Sequence, residues 1–329
     1  MLESKLPRIE KQILETLAVV VAKPEHVALT PLKLTPPDEQ DVVVDIEWSG
    51  ISTGTERLLW SGTMPTFPGM GYPLVPGYES IGRIREAGPQ SERLAGQFVF
   101  VPGASCYGEV RGLFGGASSR IVVPGNRALP ISEDLGERGV LLALAATAYN
   151  AICAPEGGYR IPNLIVGHGV LGRLLARLAV ALGDGAVPVV WEIDPQRTES
   201  DGDYDVIHPD EDSRRDYHAI YDVSGNGALL DELISRLAPG GEVTLAGFYN
   251  EPLQFSFPTA FIRRARLRVA AEWRNEDLEA VKRLAEAGTL SLDGLITHRM
   301  PADEADEAYR FAFGDSSCLK MILDWSSAE

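Results

Sequence analysis

Apolar residues follow two rhythms along this chain. Up to about residue 140 they come in short runs broken by turn residues: Ala18 to Ala22, Val42 to Trp48, Pro76 to Ile84, Phe98 to Val101 and Arg120 to Val123. Short strands punctuated by glycine and proline predict a small barrel. The stretch around Pro31, Pro36 and Pro37 reads as a proline-rich connection, and residues 1–16 as an extension before the domain. From Leu141 the rhythm changes. Leu141 to Ile152 is Ala-rich and helical, and Asn163 to Val166, Val187 to Trp191, Ala219 to Val223, Gly241 to Phe248 and Leu267 to Ala271 read as strands between helices. Such alternation predicts an α/β, doubly wound parallel sheet. The segment between Asp194 and Asp216 is short and very acidic, so one crossover is expected to be abbreviated. Asp277 to Ala287 reads as a helix, and Met300 to Trp325 as a helix with a closing strand at Leu319 to Leu323.

The densest signal lies between Asn163 and Asp194. The apolar run Asn163 to Val166 leads directly into Gly167-His168-Gly169-Val170-Leu171-Gly172, then into a helical stretch from Arg173 to Leu182. The next strand ends on Glu192, about twenty residues past the last glycine, which is the spacing of a dinucleotide fingerprint. Gly167 allows the tight turn, Gly169 lets backbone approach a pyrophosphate, and Gly172 lets helix and strand pack closely. The helix start offers unpaired N–H groups and partial positive charge to phosphates. Glu192 is suited to accept from ribose hydroxyls and to repel a 2′-phosphate, which favours NAD over NADP; Arg197 is the one nearby group able to reverse that choice. His168, inside the turn, is a candidate contact to a phosphate or toward the nicotinamide side.

Composition narrows the classes. At 329 residues the chain accommodates two domains, and 45% hydrophobic residues build a sizeable core. A formal net charge of −17 speaks against nucleic acid, which needs a basic footprint. No apolar run approaches the roughly twenty residues of a membrane span, and Met1 to Lys5 lacks a signal-peptide core; a cytoplasmic protein without membrane insertion is expected. Cys106, Cys153 and Cys318 lie far apart with no CxxC, which rules out a disulfide framework and a four-cysteine zinc site.

The order of these parts resembles the medium-chain dehydrogenase/reductase superfamily over almost the whole length. That resemblance implies a GroES-like β-barrel catalytic domain at 1–145 and 277–329, with a Rossmann dinucleotide domain at 146–276. Many members hold a catalytic zinc through a Cys in a G-I-C-x-T-D turn, a His in G-H-E and a later Cys. Here those places read Gly50-Ile51-Ser52-Thr53-Gly54-Thr55-Glu56, Pro76-Gly77-Tyr78-Glu79, and the region of Ala143. Ser, Tyr and Ala supply no thiolate, imidazole or carboxylate, so no metal is expected. More narrowly, the stretches Trp48 to Trp60 and Pro68 to Ser80 resemble a zinc-free branch that works on bacteriochlorophyll precursors. The branch implies NAD-dependent oxidation of the 3-(1-hydroxyethyl) group of a (bacterio)chlorophyllide, a tetrapyrrole, to 3-acetyl. The alternatives kept open are a zinc-free quinone or enoyl reductase and a non-catalytic NAD(H)-binding scaffold or sensor. The superfamily also makes a homodimer an expectation.

By the superfamily's layout Ser52 and Tyr78 face the place of the metal, so Tyr78, with Ser52, is expected to hydrogen-bond the carbinol oxygen. Thr55 sits where a hydroxyl passes protons onward, and Glu56 and Glu79 are candidates for base or orienter. Thr147, Val170, Leu171 and Ser224 complete the expected cofactor-binding set. For the substrate, the loop from Leu58 to Tyr72 carries Trp60, Met64, Phe67, Met70 and Tyr72, flat and pliable surfaces suited to a macrocycle. Arg57 is a candidate partner for a substrate propionate, and Phe248 and Tyr249, at a strand end, are placed at the ligand cleft.

Overall fold

The computed structural model describes residues 14–153, 157–185, 187–199, 202–270 and 272–327. The expected N-terminal extension lies mostly on residues 1–13, outside the described residues. Its last part is a correction, because β1 (Glu15–Lys23) already includes Thr16. The barrel part continues with β2 (His26–Lys33), β3 (Asp41–Ile51), α1 (Thr55–Ser61), β4 (Leu74–Val75), β5 (Ser80–Ala87), β6 (Phe98–Val101), β7 (Arg111–Gly112), β8 (Arg120–Pro124) and β9 (Leu129–Pro130). Pro31 is not in a connection as expected. It lies within β2, the edge of a four-stranded sheet in the order β2-β1-β4-β7, opposite Leu17. An edge strand accommodates proline, since its outer side has no ladder to break.

The second part opens with α2 (Leu142–Ile152) and β10 (Leu164–Val166). It continues through α3 (Val170–Leu182), β11 (Val189–Trp191), β12 (Asp205–Ile207), β13 (Tyr217–Asp222), α4 (Leu230–Ser235), β14 (Leu237–Leu245), α5 (Phe257–Arg263), β15 (Arg266–Val269) and α6 (Asn275–Glu286). Six parallel strands pair in the order β12-β11-β10-β13-β14-β15. The order reverses beside β10, and ligands gather at the carboxyl ends of the strands there. The crossover after β11 is indeed short: one tight turn at Pro195–Arg197 replaces a helix before β12. Sequence pattern missed β12, three edge residues with no apolar run to mark them.

The chain then returns to the barrel through β16 (His298–Pro301), α7 (Ala305–Gly314) and β17 (Met321–Asp324). β17 lies antiparallel to β3, with Met321 opposite Ile51, in a larger sheet ordered β16-β17-β3-β5-β6-β9; β8 also pairs with β3. This return carries the residues just before β17 to the end of β3. One buried apolar cluster joins Ile81 and Phe100 of the barrel to Ala145 of α2, Leu174 of α3 and Val281 of α6. The two walls of the cleft between the parts therefore share a core.

Candidate active site

A cleft of about 2020 Å³ runs between the barrel and the carboxyl ends of the parallel strands. Its sheet side is made by Gly167 to Gly172, Glu192, Arg197 and Ser224, with Thr147 of α2 beside them. The turn is shaped by contact: a Cβ on Gly172 would lie 1.9 Å from the Gly167 carbonyl oxygen, so helix and strand meet only over glycine. A Cβ on Gly169 would meet nothing within 4 Å, which leaves room for a ligand to approach that backbone from the cleft. α3 begins here, and its first-turn N–H groups supply the partial positive charge a pyrophosphate needs. These residues fit a dinucleotide.

Glu192 is buried and fixed by three backbone donors: His168 N–H at 2.9 Å, Ile193 N–H at 2.7 Å and Asp194 N–H at 2.9 Å. Those bonds hold a carboxylate at the cleft wall. Arg197 donates from Nε and Nη2 to the Ser316 carbonyl, 3.0 and 2.8 Å away, a tie to the segment after α7. Ser224 donates to Asp222, and Thr147 Oγ1 donates to the Ala143 carbonyl within its own helix. His168 departs from expectation. Its ring is fully buried between the Arg197 carbonyl, 2.6 Å from Nδ1, and the Tyr204 hydroxyl, 2.9 Å from Nε2. It braces the loop after β11.

The barrel side brings together residues far apart in sequence. Tyr78 donates its hydroxyl to Ser52 Oγ at 2.7 Å, and both line the cleft with Thr55 and Arg57. Burial pushes the Tyr78 phenol well above its ordinary range, and the neighbouring Glu79 adds to that. Phe114 meets the Tyr78 ring edge-on with centroids 5.3 Å apart, and Trp273 lies 6.1 Å away. The hydroxyl pair thus sits at the foot of an aromatic wall.

Glu56 and Glu79 stand behind this pair and are not part of the cleft lining. Glu56, in the first turn of α1, accepts from the Ser52 N–H at 3.0 Å and from the Tyr309 hydroxyl at 2.7 Å. Burial pushes its carboxyl up to about 7, against the pull of those two hydrogen bonds. Glu79 is fully buried and pairs with Lys320 Nζ at 2.6 Å; burial raises its carboxyl and Lys320 draws it back. Lys320 also donates to the Ile51 carbonyl at 3.1 Å and itself reaches the cleft lining. Gly50 makes room for this pair, since a Cβ there would lie 2.1 Å from Glu79 Oε2.

Other expected residues are placed differently. Trp60 packs against Phe313 at 5.4 Å, Met64 is buried in the barrel core, and Met70 and Tyr72 lean on that same core. Tyr72 donates its hydroxyl to the Leu59 carbonyl. None of these four, nor half-exposed Phe67, lines the cleft. The loop from Leu58 to Tyr72 therefore closes over its own domain: α1 anchors it, and its apolar side chains found partners in the barrel. Phe248 and Tyr249 do line the cleft, as the strand-end position implied. Ala143, at the third place associated with zinc, is a buried methyl inside α2. Lys320, Phe114 and Trp273 escaped sequence reading. Only Lys320 left a trace, as a single cation within the apolar closing strand.

Among the described residues no group of three or more His, Cys, Asp or Glu side chains is gathered to hold a metal, and no helix is long and apolar enough to cross a membrane. The fold and cleft define a medium-chain dehydrogenase. Residues 38–133 match the alcohol dehydrogenase GroES-like domain. The solved structure of L-idonate 5-dehydrogenase from Escherichia coli superposes with a TM-score of 0.82 at 19% identity, covering 94% of this chain and 98% of its own. An E. coli alcohol dehydrogenase solved with NADH gives a TM-score of 0.80 at 20% identity, over 94% and 99%. Much nearer in sequence is the 2-desacetyl-2-hydroxyethyl bacteriochlorophyllide A dehydrogenase of Rhodobacter capsulatus, 54% identical over 96% of this chain and 100% of that protein. The protein of the same description from Cereibacter sphaeroides is 53% identical over 95% and 99%. The chain belongs to this family of dehydrogenases.

Proposed function

We propose that the protein oxidises the 1-hydroxyethyl side chain of a bacteriochlorophyllide to acetyl, using NAD and no catalytic zinc. The observation that carries this is the Tyr78–Ser52 hydroxyl pair, lining the same cleft as the glycine turn, in a chain so similar to dehydrogenases of that description. Bound NAD supplies the hydride acceptor. The chain's own residues orient the carbinol and handle its proton. Tyr78 is neutral in this setting and donates a hydrogen bond to Ser52, which leaves a phenol lone pair to accept a hydrogen bond from the carbinol hydroxyl. Thr55, which lines the cleft beside Tyr78, continues the hydroxyl chain that carries the carbinol proton toward solvent. Lys320, ion-paired to Glu79, holds positive charge at the cleft wall where negative charge develops on the carbinol oxygen. Zinc fits poorly with a serine, a raised-pKa tyrosine and an alanine, none of which offers the donors it prefers. Glu192 supports NAD over NADP through charge repulsion with a 2′-phosphate.

The test supplies purified protein with a 3-(1-hydroxyethyl) bacteriochlorophyllide and NAD, after extensive chelation. One acetyl pigment should form for each NADH, with NADP a poor replacement. NADH binding without any acetyl pigment would leave a non-catalytic dinucleotide binder, and activity that returns only with added zinc would end the metal-free proposal.

A further inference from the structure

The charged residues of the cleft are unevenly divided between its walls. The sheet side carries mostly acids, Glu192, Asp194, Glu272 and Glu279 among them, with Arg197 as a cation, whereas the barrel side and its C-terminal return contribute Arg57, Arg93, Arg127 and Lys320 beside one acid, Asp315. Lys320 is ion-paired with Glu79. The three barrel-side arginines have no carboxylate within 4 Å among the described residues. Arg93 donates from Nε to the Ala128 carbonyl at 2.8 Å and from Nη1 to the Glu92 carbonyl at 3.0 Å. Arg127 donates from Nη2 to the carbonyls of Pro102 and Gly103, at 3.2 and 3.4 Å. These bonds tether two guanidinium groups to adjacent loops without cancelling their charge, and each keeps N–H donors for another partner.

Their position relative to the hydroxyl pair follows from backbone contacts. Gly103 is pressed against Phe114, where a Cβ would lie 2.2 Å from the Phe114 carbonyl oxygen, and the Phe114 ring meets Tyr78. The series of contacts on this wall runs from Tyr78 to Phe114, to Gly103 with neighbouring Pro102, and to Arg127, with Leu129 and Arg93 lining the cleft beside them. It begins with hydroxyls, continues apolar and ends cationic. We infer that Arg93 and Arg127, at the rim of the cleft, bind the propionate carboxylate of the pigment substrate. This inference rests on the pigment-oxidation proposal: a bacteriochlorophyllide is the free acid of its pigment, with a carboxylate on the far side of a flat apolar ring. The wall offers hydroxyl, apolar and cationic groups for the three parts of such a molecule, and a local cationic rim offsets the repulsion that an acidic chain exerts on an anion. Arg57, in α1, is not part of this series of contacts.

The test compares the free-acid hydroxyethyl pigment with its propionate methyl ester, on the native enzyme and on the double variant Arg93→Gln/Arg127→Gln, with NADH affinity measured for both proteins. The native enzyme should show a KM about tenfold lower for the acid than for the ester, the size expected of a partly exposed charge-assisted pair. The double variant should bring that ratio close to one, and Arg93→Lys/Arg127→Lys should restore part of it. Equal KM values for acid and ester on the native enzyme would overturn the assignment while leaving pigment oxidation standing. Weakened NADH binding in the variant would also overturn it, by placing the arginines at the dinucleotide phosphates. Failure to oxidise either pigment would remove the underlying proposal instead.

Discussion

The two walls of the cleft are built on opposite plans. The sheet wall presents backbone: the turn from Gly167 to Gly172 and the start of α3 are contiguous in sequence, and their geometry is set by glycines that touch each other's backbone. The barrel wall presents side chains gathered across the chain. Ser52 and Tyr78 are 26 residues apart, and Glu79 and Lys320 are 241 apart. The first wall depends chiefly on its glycines, because what that turn offers is the peptide itself. The second depends on charges and hydroxyls being held in a buried place, so removal of one member strands another.

The sharpest way to break this contrast is Lys320→Met. It leaves Glu79 buried and unpaired and should cost about 3–5 kcal/mol of stability, read from chemical denaturation. Adding Glu79→Gln should recover much of that loss; if it does not, the pair is not what couples β17 to the cleft. On the other wall, Gly172→Val forces a side chain into the Gly167 carbonyl, and NADH affinity should fall about 100-fold in a fluorescence titration, since the phosphate-binding turn must open. An affinity close to native would mean the turn is not the phosphate cradle.

Tyr78→Phe keeps the aromatic packing on Phe114 and removes only the hydroxyl. We expect kcat to drop about 100-fold, near 2.7 kcal/mol, with NADH affinity unchanged. Unaltered turnover would take Tyr78 out of the chemistry. The smallest effect concerns Glu56. Its carboxyl sits near 4.5 in the unfolded chain and is pushed up to about 7 in the fold, so the folded state binds the extra proton. Its contribution to stability is complete below about pH 4.5 and is lost as pH rises through 7. Between pH 5 and 7 the native protein should lose about 2 kcal/mol from this group, and Glu56→Gln should flatten that part of the profile by the same amount. A profile identical in both proteins would show that Glu56 ionises normally.

The same contrast explains what was readable in advance. Five of the six parallel strands, α2, α3 and the glycine turn were visible because each is a local pattern: a buried run, an Ala-rich helix, glycines at fixed spacing. Strands β12 and β16 were not, since short edge strands with polar residues have no apolar rhythm to detect. His168 shows the limit inside a motif. Its place in the turn suggested a phosphate contact, yet the carbonyl of Arg197 and the hydroxyl of Tyr204 turn its ring inward. The loop from Leu58 to Tyr72 shows it for apolar residues. Composition suited it to a flat ligand, but Trp60 and Met64 were claimed by the barrel core.

Taken alone, the sequence settled that this chain folds as a barrel beside a doubly wound sheet, and that one turn of that sheet carries the glycine spacing of a dinucleotide fingerprint. Periodicity and glycine spacing act over a few neighbouring residues, so they survive without knowledge of the rest. Only the tertiary structure decided which side chains share the cleft. Lys320 meets Glu79 because β17 pairs with β3, Phe114 and Trp273 meet Tyr78 because the two parts close on a common core, and Arg93 and Arg127 reach the rim through loop contacts. Such neighbours are chosen by packing between distant segments, and no local pattern records them.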